Sequence, residues 1–134
     1  MSFIEFDDSL KVGNKLIDKE HEMLIDYMNL LERAVSNDAS EGIIEQVVHG
    51  LVDYTKTHFF VEEELMKVYE YPDIDAHLKA HAGFIDETNK LVNQLKQGEA
   101  IDLNAVMDFL KQWLTAHILK VDAKLSAFLK DKMT

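Results

Sequence analysis

Cysteine is absent from the sequence, while proline and arginine occur once each, the latter at Arg33. The lack of thiols excludes disulfides, zinc ribbons, iron–sulfur clusters and cysteine nucleophiles, so any metal must be held by histidine and carboxylate. With a single proline and only five glycines, long stretches carry no punctuation, which favours extended helices over short strands and turns. No apolar run approaches the about 18 residues that a membrane helix requires, so membrane insertion is not expected. The opening MSFIEFDDSL places acids where a secretory leader would carry bases and then an apolar stretch, and the expected location is cytoplasmic. Basic charge is also scarce. Fourteen bases against 25 acids leave a net charge of −11, which argues against nucleic acid and anionic lipid as partners.

What is present is helical periodicity. The 134 residues suit one domain over 1–134. After an irregular arm over residues 1–13, Asn14 is placed to cap a helix whose inward stripe runs Ile17, His21, Leu24, Met28, Leu31, Val35 and which ends near Ser36-Asn37-Asp38. Ser40 is placed to cap a second, with Ile44, Val48, Leu51, Thr55, His58, Glu62, Leu65 and Tyr69 on one face, stopping at Tyr71-Pro72 because the residue before proline is driven out of helical geometry. Asp73 can cap the third, striped by Ile74, His77, His81, Phe84, Thr88, Leu91 and Leu95 and ended by Gly98. Asp102 opens a fourth carrying Leu103, Val106, Leu110, Trp113 and His117, and Leu125, Phe128 and Leu129 mark a short helical tail. Four amphipathic helices with short connections predict an all-α, up-down-up-down antiparallel four-helix bundle with an irregular N-terminal arm and a C-terminal helical tail.

The stripes contain the wrong residues for a purely apolar core. Five of the six histidines, His21, His58, His77, His81 and His117, fall on them, and every one of the four helices contributes at least one. His49 alone lies off its stripe, at helical spacing from Glu45 and Asp53, as a solvated surface residue would. One core histidine by itself is ordinarily a satisfied hydrogen-bonding side chain. Five of them with Glu62, left unpartnered at about 1–3 kcal/mol per group, would consume stability comparable to that of a whole domain. A metal centre removes that cost. His58 and Glu62, like His77 and His81, stand one turn apart and differ by only about 40° around the helix axis. Asp122 is harder to assign, because five residues beyond His117 a regular helix would carry it about 140° away. Only an end or distortion near Val121 could return it to the same centre. With Asp122 included there are more ligands than one ion uses, since zinc takes about four and octahedral iron about six, so two metals are implied, with iron, manganese and zinc all open.

Taken in order, DKEH at 18–21, HFFVE at 58–62, HLKAH at 77–81 and HILKVD at 117–122 resemble the hemerythrins. VGN at 12–14, EE and Met completing HFFVEEELM, YP at 71–72 and Trp113 four residues before His117 extend the resemblance over almost the whole chain. Two departures, Phe6 where many bacterial relatives carry tryptophan and Asn14 where an aliphatic residue is usual, touch no ligand. The resemblance implies two iron ions per chain joined by an oxo or hydroxo bridge. His77, His81 and His117 would hold one iron, His21 and His58 the other, and Glu62 and Asp122 would bridge them. About eleven of roughly twelve octahedral positions are then filled, leaving one open on the iron with two histidines. Dioxygen is the ligand that the family binds there. Leu24, Phe59, Trp113, Leu114 and Ile118 match positions lining the family's oxygen pocket, which must stay dry for binding to be reversible. Glu63 and Glu64 are expected to turn away into solvent.

The function expected is reversible dioxygen binding for storage, delivery or scavenging, by a binding protein and not an enzyme. A di-iron enzyme acting on peroxide or nitric oxide, and a stand-alone oxygen, redox or iron sensor acting through a partner, are the alternatives, and weak peroxidase or nitric oxide chemistry is compatible with the carrier. A ferritin-like oxidase is disfavoured, because that class uses Glu-x-x-His on two helices and the chain has no such motif.

Overall fold

A computed structural model describes residues 3–133 of the chain. Among these, α-helices occupy α1 (Lys15–Ser36), α2 (Glu41–Val68), α3 (Ile74–Lys96), α4 (Leu103–Ala116) and α5 (Ala123–Leu129), and there is no strand. α1 packs on α2 and α4, and α2 packs on α3. The bundle and its helical tail are those the periodicity predicts.

Local chemistry sets the helix ends. Asn14, Ser40 and Asp102 accept hydrogen bonds from the backbone N–H groups of Ile17, Ile43 and Ala105, each satisfying a donor that the first turn leaves without a partner. Asp73 also occupies an N-cap position but makes no capping bond; its carboxylate pairs with Lys124 of α5 instead. At the other ends α1, α2 and α3 terminate alike. Asp38, Glu70 and Gly98 turn into the left-handed region, with φ of 52°, 56° and 69°, and the next amide in each case returns to a carbonyl five residues back: Ala39 to Ala34, Tyr71 to Met66, Glu99 to Gln94. This turn at Glu70 ends α2 at Val68, short of the Tyr71-Pro72 stop expected from proline alone. The expected stripe of α2 shifts correspondingly. Met66 is fully buried, while Leu65 and Tyr69 sit half-buried at the edge of the core.

The N-terminal arm contains a short 3-10 turn, Asp8–Leu10, and is fastened at several points. The Ile4 N–H donates to Asn29 Oδ1 at 2.8 Å and Asn29 Nδ2 donates back to the Ile4 carbonyl at 2.9 Å. Asp18 accepts from the amides of Val12 and Gly13, and Ser126 Oγ donates to the Val12 carbonyl. Met1 and Ser2, the first residues of the expected arm, lie outside the described residues.

The apolar core is divided in two. A large cluster includes Leu24, Phe59, Phe84, Leu114 and Ile118, and a small one Ile17, Met66, Tyr71, Leu125 and Leu129. Along α1 the chain passes from small to large cluster, along α2 from large to small, along α3 back, and through α4 and α5 back again. The antiparallel order can be read from that alternation. Each crossing carries polar residues at the boundary: His21, then His58 and Glu62, then His77 and His81, then His117 and Asp122.

Candidate metal centre

Each candidate ligand reaches the boundary layer by ordinary helix geometry except the last. His58 and Glu62, and His77 and His81, are one-turn pairs on α2 and α3, so each pair shares a face. Asp122 is brought in by a π-helical stretch, His117–Asp122, in which the Ala123 N–H donates to the Ile118 carbonyl five residues back. A turn that closes in five residues instead of four places Asp122 above His117. The sequence demands a distortion near Val121, and the structure supplies it over all six residues of HILKVD.

All seven side chains are buried: His21 0%, His58 1%, Glu62 0%, His77 2%, His81 2%, His117 4% and Asp122 0% exposed. Their ligand atoms form two sets whose members lie within 4.8 Å of one another, His77, His81, His117, Glu62 and Asp122 in one, His21, His58, Glu62 and Asp122 in the other. Both carboxylates belong to both sets. Glu62 Oε1 stands 3.2 Å from His77 Nε2 and 3.1 Å from His81 Nε2, while Oε2 stands 3.2 Å from His58 Nε2. Asp122 Oδ1 is 3.1 Å from the Nε2 atoms of His77 and His117, and Oδ2 is 2.8 Å from His21 Nε2.

The donor chemistry fits a pair of metal ions. Of these close approaches only His77 Nε2 to Glu62 Oε1 is aligned as a hydrogen bond. The Nε2 atoms of His21, His58, His81 and His117, both oxygens of Asp122 and Oε2 of Glu62 are buried with no hydrogen-bond partner. Short separations without alignment mean that lone pairs point into shared space and not at one another. The remaining buried polar residues behave differently. Asn29 pairs with Ile4, and Thr55, Thr88 and Ser126 donate to backbone carbonyls. Unsatisfied groups therefore concentrate in this layer, where at about 1–3 kcal/mol each they would be expensive to leave unoccupied.

In the absence of a bound metal the carboxylates favour protonation of three imidazoles, His21, His58 and His77. Burial works against charge on His58, but Glu20 and Glu62 outweigh it and push the pKa up to about 10. For His77 burial is likewise outweighed, by Asp122 and Glu62, to about 9, and His21 is raised by the same two carboxylates against its burial. On His117 burial prevails over Asp122 and the pKa falls. Burial raises Glu62, yet its four histidine neighbours hold it well below the usual carboxylate range. Asp122 is pushed up by burial and by Glu62 but pulled down overall by His117, His21 and His77.

The expected pocket residues lie on one side of this layer, in or against the large cluster. Leu24, Phe59, Leu114 and Ile118 are buried in the large cluster, and Trp113 is half-buried against it. Phe59 stacks on His81 with centroids 3.6 Å apart and planes at 2°, and Trp113 stacks on His117 at 4.4 Å. Both rings thus lean on the three-histidine set, with Phe59 also 5.9 Å from His58. Phe84, not expected in this role, stacks on Trp113 at 4.1 Å. His49 is where the pattern places it, on the surface beside Glu45 at 3.6 Å. Two carboxylates outside the inward stripes also reach the histidines. Glu20 Oε1 meets His58 Nδ1 at 2.9 Å and Glu63 Oε2 meets His81 Nδ1 at 3.1 Å. Glu63 therefore does not turn away into solvent as expected, whereas Glu64 does, pairing with Lys67 on the surface. Their signal in the sequence was adjacency, each being next to a ligand candidate and one helix step around from it.

Fold and layer together define a class, an up-down four-helix bundle with a histidine-rich centre suited to two metal ions. Residues 12–129 match the hemerythrin HHE cation binding domain. The chain is 32% identical to a bacteriohemerythrin of Pseudomonas paraeruginosa over 140 aligned positions, covering 98% of this chain and 90% of the relative. It is 29% identical to a myohemerythrin of Theromyzon tessulatum, covering 90% and 88%. A crystal structure of wild-type hemerythrin superposes with a TM-score of 0.90 at 25% identity, covering 96% of this chain and 98% of that one. The chain belongs to the hemerythrin family.

Proposed function

We propose that the chain binds dioxygen reversibly at a pair of iron ions. In this reading His77, His81 and His117 would hold one iron and His21 and His58 the other, with Glu62 and Asp122 available to both. The observation that carries it is the division of seven buried side chains into two sets that share both carboxylates and contain three and two histidines. Family membership supports the choice of iron over manganese or zinc, which the donor atoms alone leave open. Bound as a ferrous pair, the metal supplies the electrons that hold dioxygen and that return to the metal on release.

The chain's own residues keep that exchange reversible. Leu24, Phe59, Leu114 and Ile118, with Trp113 at the edge, would shelter the centre from water on the side of the large apolar cluster. Among the described residues, the buried polar side chains beyond the seven are committed to backbone hydrogen bonds, so none of them is poised to deliver a proton. This favours a carrier over an enzyme, with any peroxidase or nitric oxide activity weak. The net charge of −11 and the single arginine argue against nucleic acid and anionic membranes as partners. Among the described residues no helix is long and apolar enough to cross a membrane. Storage, delivery and local scavenging all use this same reversible step.

The test is a cycle. Protein loaded with ferrous iron without air is exposed to oxygen and then purged while its visible spectrum is followed. A charge-transfer band that appears with oxygen and vanishes on purging supports the reading. Irreversible conversion in the first exposure contradicts it.

A further inference from the structure

The two carboxylates outside the inward stripes are arranged as a relay around the bundle. Glu20 directly precedes His21 on α1, and one residue on a helix is a rotation of about 100°, which carries Glu20 off the inward face toward α2 and His58. Glu63 directly follows Glu62 on α2 and is carried in the same way toward α3 and His81. α1 and α2 thus each contribute a candidate ligand and, in the adjacent position, a carboxylate for a histidine of the next helix. The contacts are 2.9 Å to His58 Nδ1 and 3.1 Å to His81 Nδ1. In both histidines the other nitrogen, Nε2, faces the centre beside Glu62, at 3.2 and 3.1 Å.

The arrangement is selective. His21 and His77 have buried Nδ1 atoms with no partner, so among those four only His58 and His81 are backed by a carboxylate. One belongs to the two-histidine set and the other to the three-histidine set. Among the described residues neither Glu20 nor Glu63 is paired with a lysine or arginine, and the histidine is the ion-pairing partner of each. Glu20 is 14% exposed and Glu63 30%, so both act from partial shelter, where a charge is less screened than at the open surface.

We infer that Glu20 and Glu63 are positioning residues, one for each metal position, that fix the donor nitrogen and orientation of His58 and His81 and place one additional negative charge beside each ion. The inference rests on the di-iron reading above. A carboxylate accepting from Nδ1–H leaves the Nε2 lone pair bare toward the metal, locks the ring plane and makes the imidazole a stronger donor. The added charge also favours the oxidised over the reduced ion.

Glutamine and alanine variants separate these effects, because glutamine keeps an acceptor oxygen and loses only the charge. Wild type, Glu20→Gln, Glu20→Ala, Glu63→Gln and Glu63→Ala, with Glu64→Gln as a surface control, would be loaded with ferrous iron without air. Three readouts follow: iron retained against increasing ferrous chelator, reduction potential by dye-equilibrated titration, and the urea midpoint of the metal-free protein. Each alanine variant should release one of its two irons about 10–100-fold more readily and show a raised potential. The glutamine variants should retain iron more nearly as wild type does while still showing a raised potential, and Glu64→Gln should match wild type throughout. Wild-type potential and retention in all four variants, with two irons in wild type, overturns the inference and spares the di-iron reading. Iron loss that follows only a lowered urea midpoint, with potential unmoved, assigns a merely structural role and also overturns it. A wild type that takes up no iron overturns both.

Discussion

Replacing Glu62 by glutamine removes the charge that both halves of the centre share while keeping nearly the same shape. In the metal-free protein the Glu62 oxygens lie 3.1–3.2 Å from His58, His77 and His81 and 3.7 Å from His21, and both His58 and His77 are held protonated above neutral pH. Removing one partner of a fully buried charge cluster costs about 3–5 kcal/mol, a large part of the ~5–15 kcal/mol that holds a domain folded. The imidazoles can shed protons to relieve that cost, so the penalty should be large at pH 6–7 and shrink as the pH passes His58's value of about 10. Metal binding should fail unevenly. Without Glu62 the three-histidine set keeps His77, His81, His117 and Asp122, but the other keeps only His21, His58 and Asp122, so the second iron is lost first. Urea unfolding of the metal-free variant across pH, with iron counted per chain after loading, reads both effects. A Glu62→Gln protein that holds two irons as tightly as wild type, or loses equal stability at every pH, would refute the reasoning.

Other expectations follow from the same contacts. His77→Ala should lose the iron of the three-histidine set, whereas His49→Ala, on the exposed face, should keep both irons and change stability by no more than about 0.5 kcal/mol; iron analysis and urea unfolding compare the two. Asn29→Ala strands the buried N–H and carbonyl of Ile4, so it should cost about 2–4 kcal/mol and speed hydrogen exchange at the Ile4 amide without altering iron content. The metal-free protein should be most stable in mildly acid solution. His58 has its pKa raised from 6.5 to about 10, so its contribution is complete below 6.5 and disappears as the pH climbs through that raised value. Glu62 and Asp122 are lowered, so theirs is present above their ordinary values of 4.5 and 3.8 and is lost on further acidification. For the same reason loading with ferrous iron at pH 7 should release protons from His58 and His77, measurable as acidification in weak buffer.

Much of this was legible because a helix repeats. Spacings of three and four residues placed the four helices and put His21, His58, Glu62, His77, His81 and His117 on inward faces. The side-chain caps at Asn14, Ser40 and Asp102 were legible for a similar reason, since capping depends on one residue and its next turn. What escaped depends on contacts between segments. Asp73 looks like a cap, but Lys124, far along the chain, takes its carboxylate. The termination of α2 is decided by the left-handed turn at Glu70, which an ordinary acidic residue does not announce. Asn29 stands on the core side of α1 only because the arm supplies both partners for its amide. Glu63 reads as a surface acid, and Glu20 carries no role of its own in the sequence, until α1, α2 and α3 are brought together. Asp122 lies between these cases, since its spacing from His117 required a distortion without specifying the π-helical form it takes.

The central claim, that seven buried side chains form one centre for two irons, is tested most directly by counting. Protein loaded with ferrous iron without air and freed of loosely bound metal should contain two irons per chain by elemental analysis. One iron per chain, or none, would contradict the account.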